Sequence, residues 1–313
     1  MPLIATVPHN QSFVTSQGSY RKYLNLMNRK ETAVQRIVAK DGLGGYETLF
    51  SASLMALCEL RADRIAFFDV GSHIGLYSTL IGTIFHHSGP FVLAFEPTPR
   101  TFELCCALRD TNDLAYMVMQ KAVAADSGSV AFYLSPKSEA SNSLNADFRP
   151  GATRIDVEQT TLDQVVAHGA PAPNVIKIDV ETMEADVVFG ARNMIAAHRP
   201  LITCELLKSC DRSSIRQMVY FLTALDYRFY RIEEQTPFPE FAMDAVLDAV
   251  HPVYRDWIFA PKPLGEAFYA SNARWRTAMK SAGPTSNLFI EAGNWQSHDY
   301  ASQFYNGSQD KRH

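Results

Sequence analysis

The stretch Ile65-Ala66-Phe67-Phe68-Asp69-Val70-Gly71-Ser72-His73-Ile74-Gly75-Leu76-Tyr77-Ser78 decides how this chain is read. A short apolar run carries Asp69 near its end, a turn with Gly71 and Gly75 follows, and apolar residues then return at helical spacing. That order describes a buried strand, a glycine turn and a helix N-terminus. Glycine tolerates positive φ and lets a backbone come close to whatever lies beside it. In open α/β sheets, nucleotides bind in the crevice at the carboxyl ends of the parallel strands. The dinucleotide fingerprint has three glycines, G-x-G-x-x-G; this turn has two, spaced G-x-x-x-G, with Asp69 in front. The departure argues against a pyrophosphate on the turn. It suits a ligand with a nucleoside and an amino-acid end, such as S-adenosylmethionine.

Outward from this stretch, apolar strands alternate with helical patterns. Residues 91–95 form a second strand ended by Glu96-Pro97. Residues 98–110 are helical, with Thr98 as N-cap and Pro99 at the first helical position. Residues 116–123 make a third strand. Residues 129–134 alternate like a strand in a small hairpin addition, 138–150 are a polar surface loop, 153–157 a short strand and 162–167 a helical turn. Residues 174–180 form the fourth main strand, 183–198 a helix, 201–206 the fifth strand, 213–225 a helix and 228–232 the sixth strand. An irregular insertion over 237–252 precedes a last strand at 256–260.

Upstream, residues 30–40 and 46–60 have helical spacing on either side of Asp41-Gly42-Leu43-Gly44-Gly45, a small helical cap after a loose arm at 1–17. Beyond Pro261 periodicity fades, and 297–313 is polar and expected to be mobile. Strands alternating with helices predict a mostly parallel sheet with helices on both faces. The last two strands lack a crossover helix, so they pair antiparallel. The chain divides into an arm and cap over 1–64, a ligand-binding domain over 65–262 and a C-terminal extension over 263–313.

Composition narrows the function. Hydrophobic residues are 47% and charged residues 20%, and the net charge is -4. No basic surface points to nucleic acid, no apolar run approaches the roughly 20 residues of a membrane span, and residues 1–15 lack a basic region followed by an apolar core, so no signal peptide is expected. The 5 cysteines have no C-x-x-C pair and no framework spacing. That usage fits reduced thiols in the cytoplasm and no zinc site. The partner expected is a small-molecule acceptor, with neither nucleic acid nor membrane insertion.

Several residues are placed to carry chemistry. Glu96 ends the second strand about 20 residues after the turn, where an acidic group accepts hydrogen bonds from ribose hydroxyls. Asp69 either orders the glycine turn or receives a ligand's ammonium group. His73 presents its backbone N–H to a ligand. Lys177-Ile178-Asp179-Val180-Glu181 alternates charged and apolar residues, and in a strand the charged ones share one face. They form either a mutual ion pair or a polar wall of the crevice. Glu205 ends the neighbouring strand in the same way. If a hard cation binds, Asp179 and Glu205 are its ligands; the expectation is no metal. For proton removal, Asp179 and Glu181 are the candidates, and His198 and His251 are outsiders.

Taken in order, Asp69 to Ser78, Ala94-Phe95-Glu96-Pro97, Thr161-Leu162-Asp163 and Lys177 to Glu181 resemble the FkbM family of S-adenosylmethionine-dependent methyltransferases over about residues 46–206. The resemblance implies a Rossmann-like class I methyltransferase fold, with seven strands and the last antiparallel beside the fifth. It implies O-methylation of a saccharide, glycolipid or polyketide-type hydroxyl. It also implies that Gly71, Ser72, His73, Gly75 and Ser78 line or support the methionine end of the cofactor, that Glu96 and Pro97 serve the ribose, that Ala122 and Val123 lie near the adenine, and that Glu47 matches a glutamate preceding the first motif. This chain departs at His73, where the family usually has Asn, and at Thr182, where it usually has Gly. A nicotinamide-dependent oxidoreductase and a non-catalytic binding protein of the same fold are the alternatives.

Overall fold

The computed structural model describes residues 12–15, 18–21, 32–61, 64–136, 142–148 and 150–281. Residues 12–15 of the expected loose arm form a strand, β1 (Ser12–Thr15), paired antiparallel with β2 (Gly18–Arg21). The tail at 297–313 lies outside the described residues. Helix α1 (Ala33–Asp41) opens with a capping box: the Thr32 hydroxyl accepts the Gln35 N–H, and the Gln35 side chain accepts the Thr32 N–H. Helix α2 (Thr48–Glu59) follows the Gly-rich break.

The deciding stretch folds as β3 (Ala66–Val70), a turn and α3 (Leu76–Ile84). β4 (Phe91–Phe95), α4 (Pro99–Thr111) and β5 (Met117–Met119) continue the alternation. The expected third strand is interrupted at residues 120–121. Its second part, β6 (Ala122–Val123), joins β7 (Gly128–Leu134) and β8 (Thr153–Thr160) in a separate three-stranded sheet. Then come α5 (Leu162–Ala167), β9 (Val175–Ile178), α6 (Glu184–Phe189), α7 (Arg192–His198), β10 (Leu201–Glu205), α8 (Arg212–Ala224) and β11 (Arg228–Arg231). The insertion holds β12 (Glu240–Phe241) and α9 (Met243–Val246), and the described fold closes with β13 (Asp256–Ala260) and α10 (Glu266–Ser281). The family motif residue Asp163 has a structural task here. Its carboxylate accepts the Asn193 and Met194 N–H groups and so caps α7.

The main sheet runs β12-β11-β13-β10-β9-β3-β4-β5. β5, β4, β3, β9 and β10 are mutually parallel, and β13 is antiparallel between β10 and β11. This is the expected α/β class with the last strand inserted beside the fifth; the two-residue β12 adds an eighth strand at the edge. β3 has apolar residues on both sides because helices cover both. Phe67 packs in one core with α1, α2, α3 and α10, and Ala66, Phe68 and Val70 pack in the other with α6, α7 and α8. The first of these cores therefore runs across both 64/65 and 262/263.

Helix α10 corrects the reading of a fading C-terminal pattern. Phe268, Ser271, Asn272, Trp275, Ala278 and Met279 are buried at helical spacing, but the face includes two polar residues, which breaks the apolar periodicity. Those polar groups have partners on α2. Asn272 donates to Ser53 Oγ (3.0 Å), and Glu59 accepts from Trp275 Nε1 (3.0 Å) and from Ser271. Fully burying a side chain the size of Phe268 contributes roughly 1.5–3 kcal/mol. The helix is thus part of the core that covers one face of the sheet, packed on α2.

Candidate functional site

The crevice opens where β3, β4 and β9 end. Gly71 has φ 74°, and a Cβ there would sit 1.8 Å from the Asp179 carbonyl oxygen. Glycine is required at this point by the chain's own crossing at the end of β9. Gly71 and Ser72 N–H both donate to Phe95 O (3.1 and 2.9 Å), and His73 N–H donates to Glu96 Oε2 (2.9 Å). The turn is therefore lashed to the end of β4. Gly75 (φ 77°) faces inward, with Cys105 Sγ 2.4 Å and Tyr116 Oη 2.9 Å from where its Cβ would be.

Asp69 is fully buried. Its Oδ2 accepts the Ser78 N–H (3.2 Å) and hydroxyl (2.7 Å), capping α3 from the preceding strand, and its Oδ1 lies 3.2 Å from Lys177 Nζ. Of the two roles open to Asp69, ordering the turn is the one its contacts display. Lys177 is its register partner across β3 and β9 and also donates to Gly71 O (2.8 Å). Burial pulls the Lys177 pKa down, but Asp69 and Asp179 more than offset it, and the net shift is upward.

Glu96 lines the crevice with its carboxylate braced. Oε1 accepts the Thr98 N–H (2.9 Å) and the Thr101 hydroxyl (2.7 Å). Thr98 precedes α4, as expected, but makes no capping bond with its own side chain; Glu96 takes its N–H instead. Burial raises the Glu96 pKa against these hydrogen bonds. Beyond Glu96 and Pro97, the side sheet supplies Ala122, Val123 and Phe132, and residues 142–148 supply Asn142 and Leu144. With Phe95, the side chains of Ala122, Val123, Phe132 and Leu144 make an apolar wall in a space of about 700 Å³ that is open to solvent. Part of the expected polar surface loop is thus a wall of the site.

On the other side stand Tyr46, Asp179, Val180 and Glu181. The expectation that Lys177, Asp179 and Glu181 share one strand face fails, because β9 ends at Ile178. The chain then bends through Glu181 (φ 56°) and Thr182 (φ 85°). Carboxylate oxygens of Asp179, Glu181 and Glu205 lie within 4.8 Å of one another, close enough to hold a hard cation. Glu205 pairs with Arg255 (3.1 Å). Asp256 sits opposite Glu205 in register, because an antiparallel strand begins where its parallel neighbour ends. Glu47 has φ 40° at the start of α2 and accepts the Tyr77 hydroxyl (2.5 Å).

Burial, with this crowding, raises the pKa values of the group. Burial, then Asp179, pushes Glu205 up to about 10. Burial, then Glu47 and Asp179, pushes Asp256 up to about 8. Glu47 is raised by burial, against its bond from Tyr77. Behind the bend, buried Glu184 is raised to about 7 by burial while accepting the Thr182 N–H (3.0 Å) and lying 3.4 Å from Cys210 Sγ.

Of the residues picked from the sequence, Gly71, His73, Glu96, Pro97, Ala122, Val123, Asp179 and Glu181 line the crevice. Ser72, Gly75, Ser78 and Asp69 stand behind its wall. Glu47 and Glu205 flank Asp179 on the acidic side. His198 is an exposed residue at the end of α7, and His251 Nδ1 accepts two backbone N–H groups in its own loop. Sequence reasoning missed Tyr46, Phe132, Asn142, Leu144 and Asp256. Only Asp256 had a usable signal, the antiparallel last strand.

Among known proteins, the Methyltransferase FkbM domain matches residues 69–229, about half of the chain. The chain belongs to the FkbM methyltransferase family. The hexuronic acid methyltransferase AglP of Haloferax volcanii is 30% identical over 140 residues, which are 44% of this chain and 55% of that protein. The chain thus spans about half the length of this relative. A solved methyltransferase FkbM from Methylobacillus flagellatus is 18% identical, with a TM-score of 0.40 over 63% of this chain and 44% of that one. Human methyltransferase-like protein 13, solved with SAH, is 12% identical, with a TM-score of 0.40 over 82% and 97%. Both departures from the family pattern sit at positive φ, His73 at 51° and Thr182 at 85°. Asn and Gly tolerate that region well, so this chain holds these two conformations with bulkier side chains.

Proposed function

We propose that the chain is an S-adenosylmethionine-dependent O-methyltransferase acting in the cytoplasm on a hydroxyl of a small molecule, a saccharide, glycolipid or polyketide-type natural product. The observation that carries this reading is one crevice with an apolar wall and Glu96 on one side and Asp179 and Glu181 on the other, in a chain of the FkbM family. The acidic group at the end of the second parallel strand and the apolar wall suit a nucleoside. Glu96 would accept from the ribose, Ala122, Val123, Phe132 and Leu144 would enclose the base, and Gly71 and His73 would border the amino-acid end. When bound, S-adenosylmethionine supplies a methyl group on a sulfonium, open to in-line displacement.

The chain's own residues then have two tasks. Holding an acceptor hydroxyl in line is worth on the order of 7–11 kcal/mol in good cases. Taking its proton adds roughly 100- to 10,000-fold, a role assigned to Asp179 with Glu181 beside it. The hexuronic acid relative supports a saccharide acceptor. Free cysteines at 58, 105, 106, 204 and 210 support a reducing compartment. No helix among the described residues is long and apolar enough to cross a membrane.

Calorimetric titration with S-adenosylmethionine, S-adenosylhomocysteine and NAD tests the cofactor. Binding of the first two and not the third is expected; binding of NAD alone would move the chain to the oxidoreductases. Mass spectrometry of small molecules from cells with and without the gene, searched for a lost methyl increment, identifies the acceptor.

A further inference from the structure

Residues 142–145 join the two sides of the crevice, and their side chains alternate. Asn142 and Leu144 line the crevice. Ser143 and Asn145 turn to the bend after β9: Ser143 Oγ donates to Glu181 O (2.6 Å), and Asn145 Nδ2 donates to Thr182 Oγ1 (3.0 Å). A period of two is that of an extended chain. The segment is anchored on its other edge as well. Ser143 and Tyr133 exchange both backbone hydrogen bonds (2.9 and 3.1 Å), Asn142 Oδ1 accepts the Ser135 N–H (2.8 Å), and Asn142 Nδ2 donates to Thr98 Oγ1 (3.2 Å). Ser143 is buried, and its hydroxyl also accepts the Asn145 N–H (3.0 Å).

The two residues this segment grips are the two that most need holding. Glu181 and Thr182 occupy consecutive positive-φ conformations, which side chains keep only where the surroundings over-determine them. Glu184 holds the bend from behind through the Thr182 N–H, and Ser143 and Asn145 hold it from the crevice side.

We infer that Ser143 is a positioning residue that ties the placement of Glu181 to occupancy of the nucleoside half of the crevice. The inference rests on the cofactor reading above. A nucleoside against Asn142 and Leu144 steadies the segment, and the same backbone carries Ser143 against Glu181 O. Cofactor then binds before acceptor, and the acidic side reaches its working geometry only with the nucleoside in place.

Hydrogen–deuterium exchange of the full chain, with and without S-adenosylhomocysteine, tests this through the Thr182 N–H. In the wild type the nucleoside slows exchange in 142–145 and in 180–184 together. In Ser143→Ala, exchange over 180–184 is about fivefold faster without ligand, the loss of one hydrogen bond. Added S-adenosylhomocysteine then protects only 142–145. Ser143→Thr keeps the hydroxyl and restores the linkage, a rescue that mere packing would not produce. If Ser143→Ala does not fold by circular dichroism, Asn145→Ala, which cuts the second bond, loosens 180–184 in the same direction. A Ser143→Ala chain that binds the nucleoside and still protects 180–184 as the wild type does overturns the inference, as does a wild type that binds it without slowing 180–184. Failure of the wild type to bind it at all overturns the cofactor reading and takes this inference with it.

Discussion

On the β3–β4 side of the crevice, the buried carboxylates of Asp69 and Glu96 are each met by several donors. On the β9–β10–β13 side, Glu47, Glu205 and Asp256 crowd Asp179 and have raised pKa values. Glu47, Glu181 and Thr182 there also take positive φ. The first side ties its carboxylates to donors of the chain itself. The second gathers carboxyl groups around Asp179 and sets two consecutive positive-φ residues, Glu181 and Thr182, beside them. The difference teaches that an acidic residue's role here follows from its donors, since both sides use the same residue types.

If this division is right, the first side should break in stability and the second in turnover. The largest effect is expected for Gly71→Ala, whose new methyl would collide with backbone at Asp179; little folded protein should survive thermal unfolding assays. Asp69→Asn comes next. It leaves buried Lys177 with Asp179 at 3.7 Å as its ion-pair partner and the Gly71 carbonyl as an acceptor, a loss of about 3–5 kcal/mol in denaturant titration. The double variant Asp69→Asn/Lys177→Met should lose less than Asp69→Asn alone, because the fully buried charge is gone and Asp179, which also loses Lys177, is partly exposed.

Asp179→Asn inverts the pattern. Turnover should drop by roughly 100-fold or more, while S-adenosylhomocysteine affinity and melting temperature stay near wild type. A variant that keeps full turnover would remove Asp179 as the base.

A smaller effect separates the two sides by pH. Glu205 keeps its proton in the folded chain up to about 10, whereas an unfolded chain releases it near the ordinary carboxylate range. Folding therefore takes up protons between those limits, and the stability this group contributes is present in acid and lost as pH rises toward 10. Asp256 adds the same slope up to about 8. Melting temperatures measured from about pH 6 to about pH 9 should fall in the wild type and fall less in Glu205→Gln. Equal slopes would mean that Arg255 keeps Glu205 ionised. The smallest effect is expected for Thr182→Gly. It relieves φ 85° but gives up the bond from Asn145, for a net gain of about 1 kcal/mol or less.

Much of this architecture is written locally in the chain. The glycine turn, the alternation of strands and helices, the antiparallel last strand and Glu96 at the strand end all follow from short-range patterns, because a strand's period, a turn's φ and a cap's donor are settled within a few residues. Tertiary structure alone decided which way Asp69 faces, since its partner Lys177 comes from a strand brought alongside by the parallel crossover. It alone brought Asp256 to Glu205, through antiparallel register, and turned part of a polar loop into a wall through its bonds to Tyr133, Glu181 and Thr182. It also made a helix with Ser271 and Asn272 on its buried face a full member of the core, because α2 carries the groups that satisfy them. A polar side chain's role depends on what meets it, and what meets it is set by register and crossing.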